Sequence, residues 1–203
     1  MTPRLVAVSD QSVAGATATL ERFGEIARLA RPASVAFQLR DPELGARERL
    51  DFGRALVALA RDAGQLVLVN DRLDLALLLG ADGVHLGESG VETADARRLL
   101  GEGALVFRAC HDPVAARTVD ADAVLLSPVL EPRKGRPALG LEAIGRARAA
   151  AAGRAVAIFA LGGVDAARAR ECLSAGAEGV AVVGALLGRV QGPALVRALG
   201  IAR

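Results

Sequence analysis

The sequence predicts an α/β protein built as a single-domain (β/α)8 TIM barrel, and three observations carry that expectation. Eight short apolar runs rich in Val, Leu and Ile alternate with stretches of helical periodicity. The runs are continuously apolar, as strands of a parallel sheet covered on both faces are, and eight repeats favour closure over an open doubly wound sheet. Ionisable and amide side chains also gather where the runs stop, the end at which parallel α/β proteins keep their chemistry. The chain has 203 residues and 52% hydrophobic content, enough for one sizeable core though short of the ~250 residues typical of such barrels. No linker or low-complexity tract divides residues 1–203.

The expected strands are Leu5 to Val8, Ser34 to Leu39, Leu66 to Val69, Gly83 to Leu86, Leu105 to Arg108, Ala123 to Leu126, Val156 to Ala160 and Gly179 to Val183. After the first strand, Leu20, Phe23, Ile26, Ala27 and Ala30 recur at three- and four-residue spacing, which marks a helix with one buried face. Leu50, Phe52, Leu56, Leu59 and Ala60 repeat the pattern after the second. A helical run from Leu73 to Leu79 stops at Gly80, and another near Ala152 stops at Gly153, a residue that takes the left-handed capping conformation at little cost.

Composition excludes several classes of function. The net charge of +2 comes from interspersed acids and bases, with 2% aromatic residues and neither Trp nor Tyr, so nothing points to nucleic acid. No apolar run reaches the ~20 residues of a membrane span, and the first ten residues lack a signal peptide's hydrophobic stretch, so a cytoplasmic location without membrane contact is expected. Cys110 and Cys172 lack zinc-type spacing and are expected to be buried thiols.

The strand ends supply the candidate site. Alternation places Gln38 and Arg40 on the inward face of the second strand, where an arginine fork suits phosphate; the alternative is an Arg40 paired with Asp41. Asn70 and Asp71 end the third strand, and Asp71 suits a hard divalent cation, or else caps the helix starting at Arg72. His85 ends the fourth strand, as a substrate ligand or as a donor to a backbone carbonyl. Gly162 and Gly163 follow the seventh strand and Gly184 the eighth, the two loops that commonly form a barrel's phosphate site, although a glycine pair is also an ordinary turn. His111, after the fifth strand, has the pKa range for proton transfer near neutrality, and Lys134 lies in the loop after the sixth.

These residues resemble the thiamine phosphate synthase family and its sister group, the TenI-type thiazole tautomerases. The resemblance rests on Gln38-Leu-Arg40, Asn70-Asp-Arg72, Leu75-Ala-Leu through Gly80-Ala-Asp-Gly-Val-His-Leu-Gly87, His111, Gly140-Leu141, Leu161-Gly-Gly163 and Gly176-Ala-Glu-Gly-Val-Ala-Val-Val183. It implies a barrel that binds a thiazole phosphate near Gly162, Gly163 and Gly184, with His111 and Lys134 catalytic and with Gln38, Arg40, Asn70 and His85 contacting substrate. A synthase joins that thiazole to a hydroxymethylpyrimidine diphosphate and uses Mg2+, for which Asp71 is the matching ligand. A tautomerase shifts a proton on a carboxythiazole phosphate through His111 and requires no cofactor.

The chain departs from the synthase pattern at several positions. Pro42 stands where the family has a lysine, and Gly90 where it has a second carboxylate, with Glu88 two positions away. Ala109 replaces a serine, and Glu131-Pro-Arg-Lys134 replaces a Thr-x-Thr-Lys loop, leaving Lys134, or Arg133 in its place, as the surviving cation. An altered diphosphate site is expected. Synthase, tautomerase and a non-catalytic thiazole-phosphate or thiamine-phosphate binding protein stay open, as does assembly into a homo-oligomer.

Overall fold

The structure is a computed structural model that describes residues 2–188 and 190–203. Eight parallel strands close into a barrel in sequence order: β1 (Leu5–Val8), β2 (Val35–Leu39), β3 (Leu66–Asn70), β4 (Gly83–Leu86), β5 (Leu105–Cys110), β6 (Ala123–Leu126), β7 (Ala157–Leu161) and β8 (Gly179–Val182). Every expected strand is present. β3 and β5 run one and two residues further than the apolar pattern, because the ladder continues through Asn70↔His85 and through Ala109↔Leu125 and Cys110↔Leu126. Backbone pairing thus carries polar residues into the sheet at the end where the site lies.

Around the barrel lie α1 (Gln11–Leu29), α2 (Ala46–Asp62), α3 (Leu73–Leu79), α4 (Thr93–Leu100), α5 (Glu142–Ala150), α6 (Ala166–Ser174), α7 (Gly184–Leu187) and α8 (Gly192–Ala198). α1 breaks at Gly15, whose φ of 69° no helix accommodates. Behind β5 the covering element is a 3-10 turn, Pro113–Arg117, started by the Asp112 side chain accepting from Val114 N–H at 2.9 Å. Among the described residues no helix is long and apolar enough to cross a membrane.

Strand alternation sorts the core into two layers. Val6, Val8, Ala36, Leu68, Phe107, Leu125 and Phe159 are among the side chains that fill the barrel, whereas Phe37, Val69, Val106 and Ile158 pack outward against the helices. The Phe107 and Phe159 rings sit 5.3 Å apart, tilted by 53°. Two inward glycines make room: a Cβ on Gly179 would lie 2.4 Å from Phe159 Cε1, and one on Gly83 would lie 2.0 Å from the Leu105 carbonyl oxygen.

The amino-terminal end of the barrel is stitched by residues that precede strands. Gln65 accepts from Val35 N–H at 3.1 Å, and Asp82, Asp122 and Glu178 accept from Val67, Val106 and Ile158 N–H, each at 2.7 Å. Side-chain acceptors therefore satisfy backbone donors near the strand starts.

Gly179→Ala should destabilise the fold by about 1–3 kcal/mol through overpacking against Phe159. Gly103→Ala, at a position where a Cβ would meet nothing within 4 Å, should leave stability nearly unchanged. Urea midpoints of the two variants check the difference.

Candidate active site

On the β2–β4 side of the mouth, three side chains form a directed chain of hydrogen bonds. Gln38 Nε2 donates to Asn70 Oδ1 at 2.9 Å, and Asn70 Nδ2 donates to Asp71 Oδ2 at 2.7 Å. Asp71 Oδ1 in turn accepts from Gly87 N–H at 2.9 Å. The carboxylate orients both amides, because it can only accept. Asp71 adopts a left-handed backbone, with φ 57°, and turns its side chain across to the β4 loop. It does not cap α3, whose first turn has no side-chain cap.

His85 stands beside this chain, 8% exposed, and neither ring nitrogen has a partner among the described residues. It therefore does not serve a backbone carbonyl. Burial pushes its pKa down to about 4, opposed by the Asp71 carboxylate and reinforced by the Arg40 guanidinium. Gln38 is 1% exposed, and its Oε1 is likewise unpartnered. Three buried polar atoms thus lack partners at one mouth, an expensive arrangement unless a ligand satisfies them.

Arg40 is not paired with Asp41. That carboxylate accepts from the Ser9 hydroxyl and from Gln11 N–H, which leaves the Arg40 guanidinium without an ion pair among the described residues. Its neighbourhood with Asp71 is felt at His85, where the two act with opposite sign.

His111 lies just past β5. Its Nδ1 is 2.6 Å from the Ser127 carbonyl oxygen and 3.3 Å from the Ser127 hydroxyl. A carbonyl only accepts, so in the neutral ring Nδ1 carries the proton and Nε2 the lone pair. The backbone N–H of His111 donates to Glu88 Oε1 at 2.7 Å.

Across the mouth, a cavity of about 130 Å³ opens between Gly162, Gly163, Gly184, Glu131 and Arg133. Gly162 and Gly163 have φ of 103° and 73°, so a residue with a Cβ would be strained at either. The N–H groups of Gly163, Gly184 and Ala185 have no acceptor among the described residues, as expected of amides free to meet an anion. The β6 loop forms one wall: Leu130 N–H donates to the Gly162 carbonyl at 2.9 Å, and a Cβ on Gly163 would lie 2.5 Å from Glu131 Cγ.

Arg133, rather than Lys134, reaches this cavity. Residues 133–136 form a tight hairpin, with N–H to carbonyl bonds of 3.0 Å in both directions between Arg133 and Arg136. Lys134, with φ 49°, sits at its exposed tip. Sequence reasoning also misses Arg108, which is buried and donates to the carbonyls of Gly87 and Glu88 at 3.2 and 3.4 Å and to that of Val91. Nothing in the strand pattern separates an arginine that props a loop from one that meets substrate. Cys110 and Cys172 are buried, and burial pushes both thiols up to about 11, away from nucleophilic or metal-binding use.

Asp71 is the carboxylate that would hold a magnesium ion here, each of its oxygens keeping a lone pair beyond the hydrogen bond it accepts. Position 90, where a second carboxylate is expected, is glycine, and Glu88 Oε1 accepts from His111 N–H. Among the described residues no three His, Cys, Asp or Glu side chains converge.

The fold defines a (β/α)8 barrel whose candidate site lies at the carboxyl ends of the strands. Known proteins give the particular family. The family model described as thiamine monophosphate synthase matches residues 5–186. A thiamine-phosphate synthase from Methanoculleus marisnigri is 36% identical over 96% of this chain and 92% of its own length. One from Roseiflexus is 35% identical over 95% of this chain and 81% of its own. Among solved structures, a thiamine phosphate pyrophosphorylase from Pyrococcus furiosus superposes with a TM-score of 0.81 at 25% identity, covering 97% of this chain and 95% of that one. The chain belongs to the thiamine monophosphate synthase family, a family of thiamine-biosynthesis enzymes.

Two expectations follow from the geometry. Arg133→Ala should weaken binding of inorganic phosphate by about tenfold while Lys134→Ala changes it little, since only Arg133 lines the cavity; calorimetric titration checks this. Separately, folded His85 protonates only near pH 4, whereas in the unfolded chain it does so near 6.5. Between those values the unfolded state binds more protons, so stability should fall as pH drops through the window, and His85→Gln should remove that component of the acid dependence in urea unfolding.

Proposed function

We propose that the chain joins a thiazole phosphate to a hydroxymethylpyrimidine diphosphate, forming thiamine phosphate and releasing diphosphate. The observation that carries this reading is the pair of unlike polar groupings at one end of the barrel. The glycine loops after β7 and β8 present free amides to a phosphate. Opposite them, Gln38 Oε1 and the two His85 nitrogens offer buried, unpartnered atoms to a nitrogen heterocycle bearing an amino group. Two groupings of different chemistry suit two substrates.

In this reaction the thiazole nitrogen bonds to the pyrimidine methylene carbon while the bond from that carbon to the diphosphate oxygen breaks. Negative charge grows on the leaving oxygen, and preorganised cations lower the cost of that growth. Arg40, without an ion pair, is the cation on the pyrimidine side, and Arg133 the one on the cradle side. No step is assigned to magnesium. The names of the relatives support this reading.

A second reading, isomerisation of a carboxythiazole phosphate, is favoured by one observation: the Ser127 carbonyl fixes the His111 proton on Nδ1 and leaves Nε2 as a base.

The test incubates purified protein with both substrates, and separately with carboxythiazole phosphate. Formation of thiamine phosphate is the expected result. Isomerisation alone, lowered by about 10²–10⁴-fold in His111→Asn, would transfer the assignment to the tautomerase. Binding of thiazole phosphate without turnover in either assay would make the chain a binding protein.

A further inference from the structure

The loop between β4 and α4 is anchored far more heavily than a surface loop requires. Arg108 lies on the helix-facing side of β5, since Val106 and Cys110 flank it in the outer core while Phe107 points into the barrel. From there its guanidinium, 8% exposed as a residue, donates to the carbonyls of Gly87, Glu88 and Val91. Among the described residues it has no carboxylate partner. Burying an uncompensated charge is costly, and here the return is three loop carbonyls held in place. Asp71 grips the same loop from β3 through Gly87 N–H at 2.9 Å.

The anchored loop carries Glu88, and Glu88 Oε1 accepts from the backbone N–H of His111 at 2.7 Å. His111 lies one residue beyond the end of β5, so the strand ladder no longer holds its backbone. Two bonds then set where its ring stands: Glu88 on the backbone side and the Ser127 carbonyl, 2.6 Å from Nδ1, on the ring side. We propose that Glu88 is a positioning residue for His111. It transmits the rigidity of the loop held by Arg108 and Asp71 to the imidazole, so that Nε2 stays aimed at the mouth. The proposal rests on the reading of His111 as the group that moves a proton. Glu88 acts as a hydrogen-bond acceptor, not through its charge.

Three variants and two readouts test this. Glu88→Ala should lower the kcat of carboxythiazole isomerisation by about 10²-fold, the scale on which a misplacement of about 1 Å acts, with KM unchanged because the phosphate cradle lies across the barrel. Glu88→Gln keeps an acceptor and should restore the rate to within about threefold of wild type. Glu88→Ala combined with His111→Asn should be no slower than His111→Asn alone. The second readout is independent of turnover. The chain has 2 histidines, so nitrogen-15 spectra of labelled histidine resolve both, with His85 as the internal reference. Wild type should show His111 protonated on Nδ1, and Glu88→Ala should show the two tautomers averaged. An unchanged His111 tautomer in Glu88→Ala, or losses that add in the double variant, would overturn the proposal. If wild type does not isomerise the substrate, the proton-transfer reading fails, and the spectra alone still decide for or against Glu88.

Discussion

A parallel sheet closed on itself buries both faces of every strand, and that constraint governs the rest of this molecule. Side chains along the strands are mostly apolar, whether they point to the barrel interior, as Phe107 and Phe159 do, or to the helices, as Val106 and Ile158 do, with Arg108 of β5 an exception. Most polar groups are displaced to the two ends. At the amino-terminal end they serve the fold, with Gln65, Asp82, Asp122 and Glu178 satisfying backbone donors of neighbouring strands. At the carboxyl end they include buried atoms with no partner, at Gln38 and His85, and these destabilise the fold unless a ligand completes them.

The carboxyl end is itself divided. Asp71 accepts from a neighbour on each oxygen, and so organises Gln38, Asn70 and the β4 loop. Arg40 and His85 are left unencumbered beside it, while the glycine cradle faces them across the mouth with amides in place of charges. The residue that organises this wall is thus distinct from the two left without a partner beside it.

Much of this was legible before any coordinates. The period of the apolar runs gave all eight strands, and alternation placed Gln38 on the inward face of its strand, where it meets Asn70. Gly162 and Gly163 were legible because few other residues take their backbone conformations, and Gly184 only through its place after the eighth strand. What was not legible depends on how irregular segments fold back. The hairpin that turns Arg133 toward the cavity and Lys134 away from it is fixed by two backbone bonds. Arg108 reads as part of a strand, and only the path of the β4 loop above it shows what it holds. The 3-10 turn behind β5 follows from Pro113 and the Asp112 cap, local features that helical periodicity does not report.

The hairpin tip has a practical side. Lys134 is the one lysine in the chain, which meets its other needs for positive charge with arginine. Arginine does not react with amine-selective reagents at neutral pH, because its guanidinium stays protonated. A fluorophore carried by such a reagent would therefore attach at this exposed tip and, apart from the α-amino group, nowhere else. It would sit one residue from the wall of the cavity, where the arrival of a ligand could be followed by light in a protein that has neither tryptophan nor tyrosine of its own.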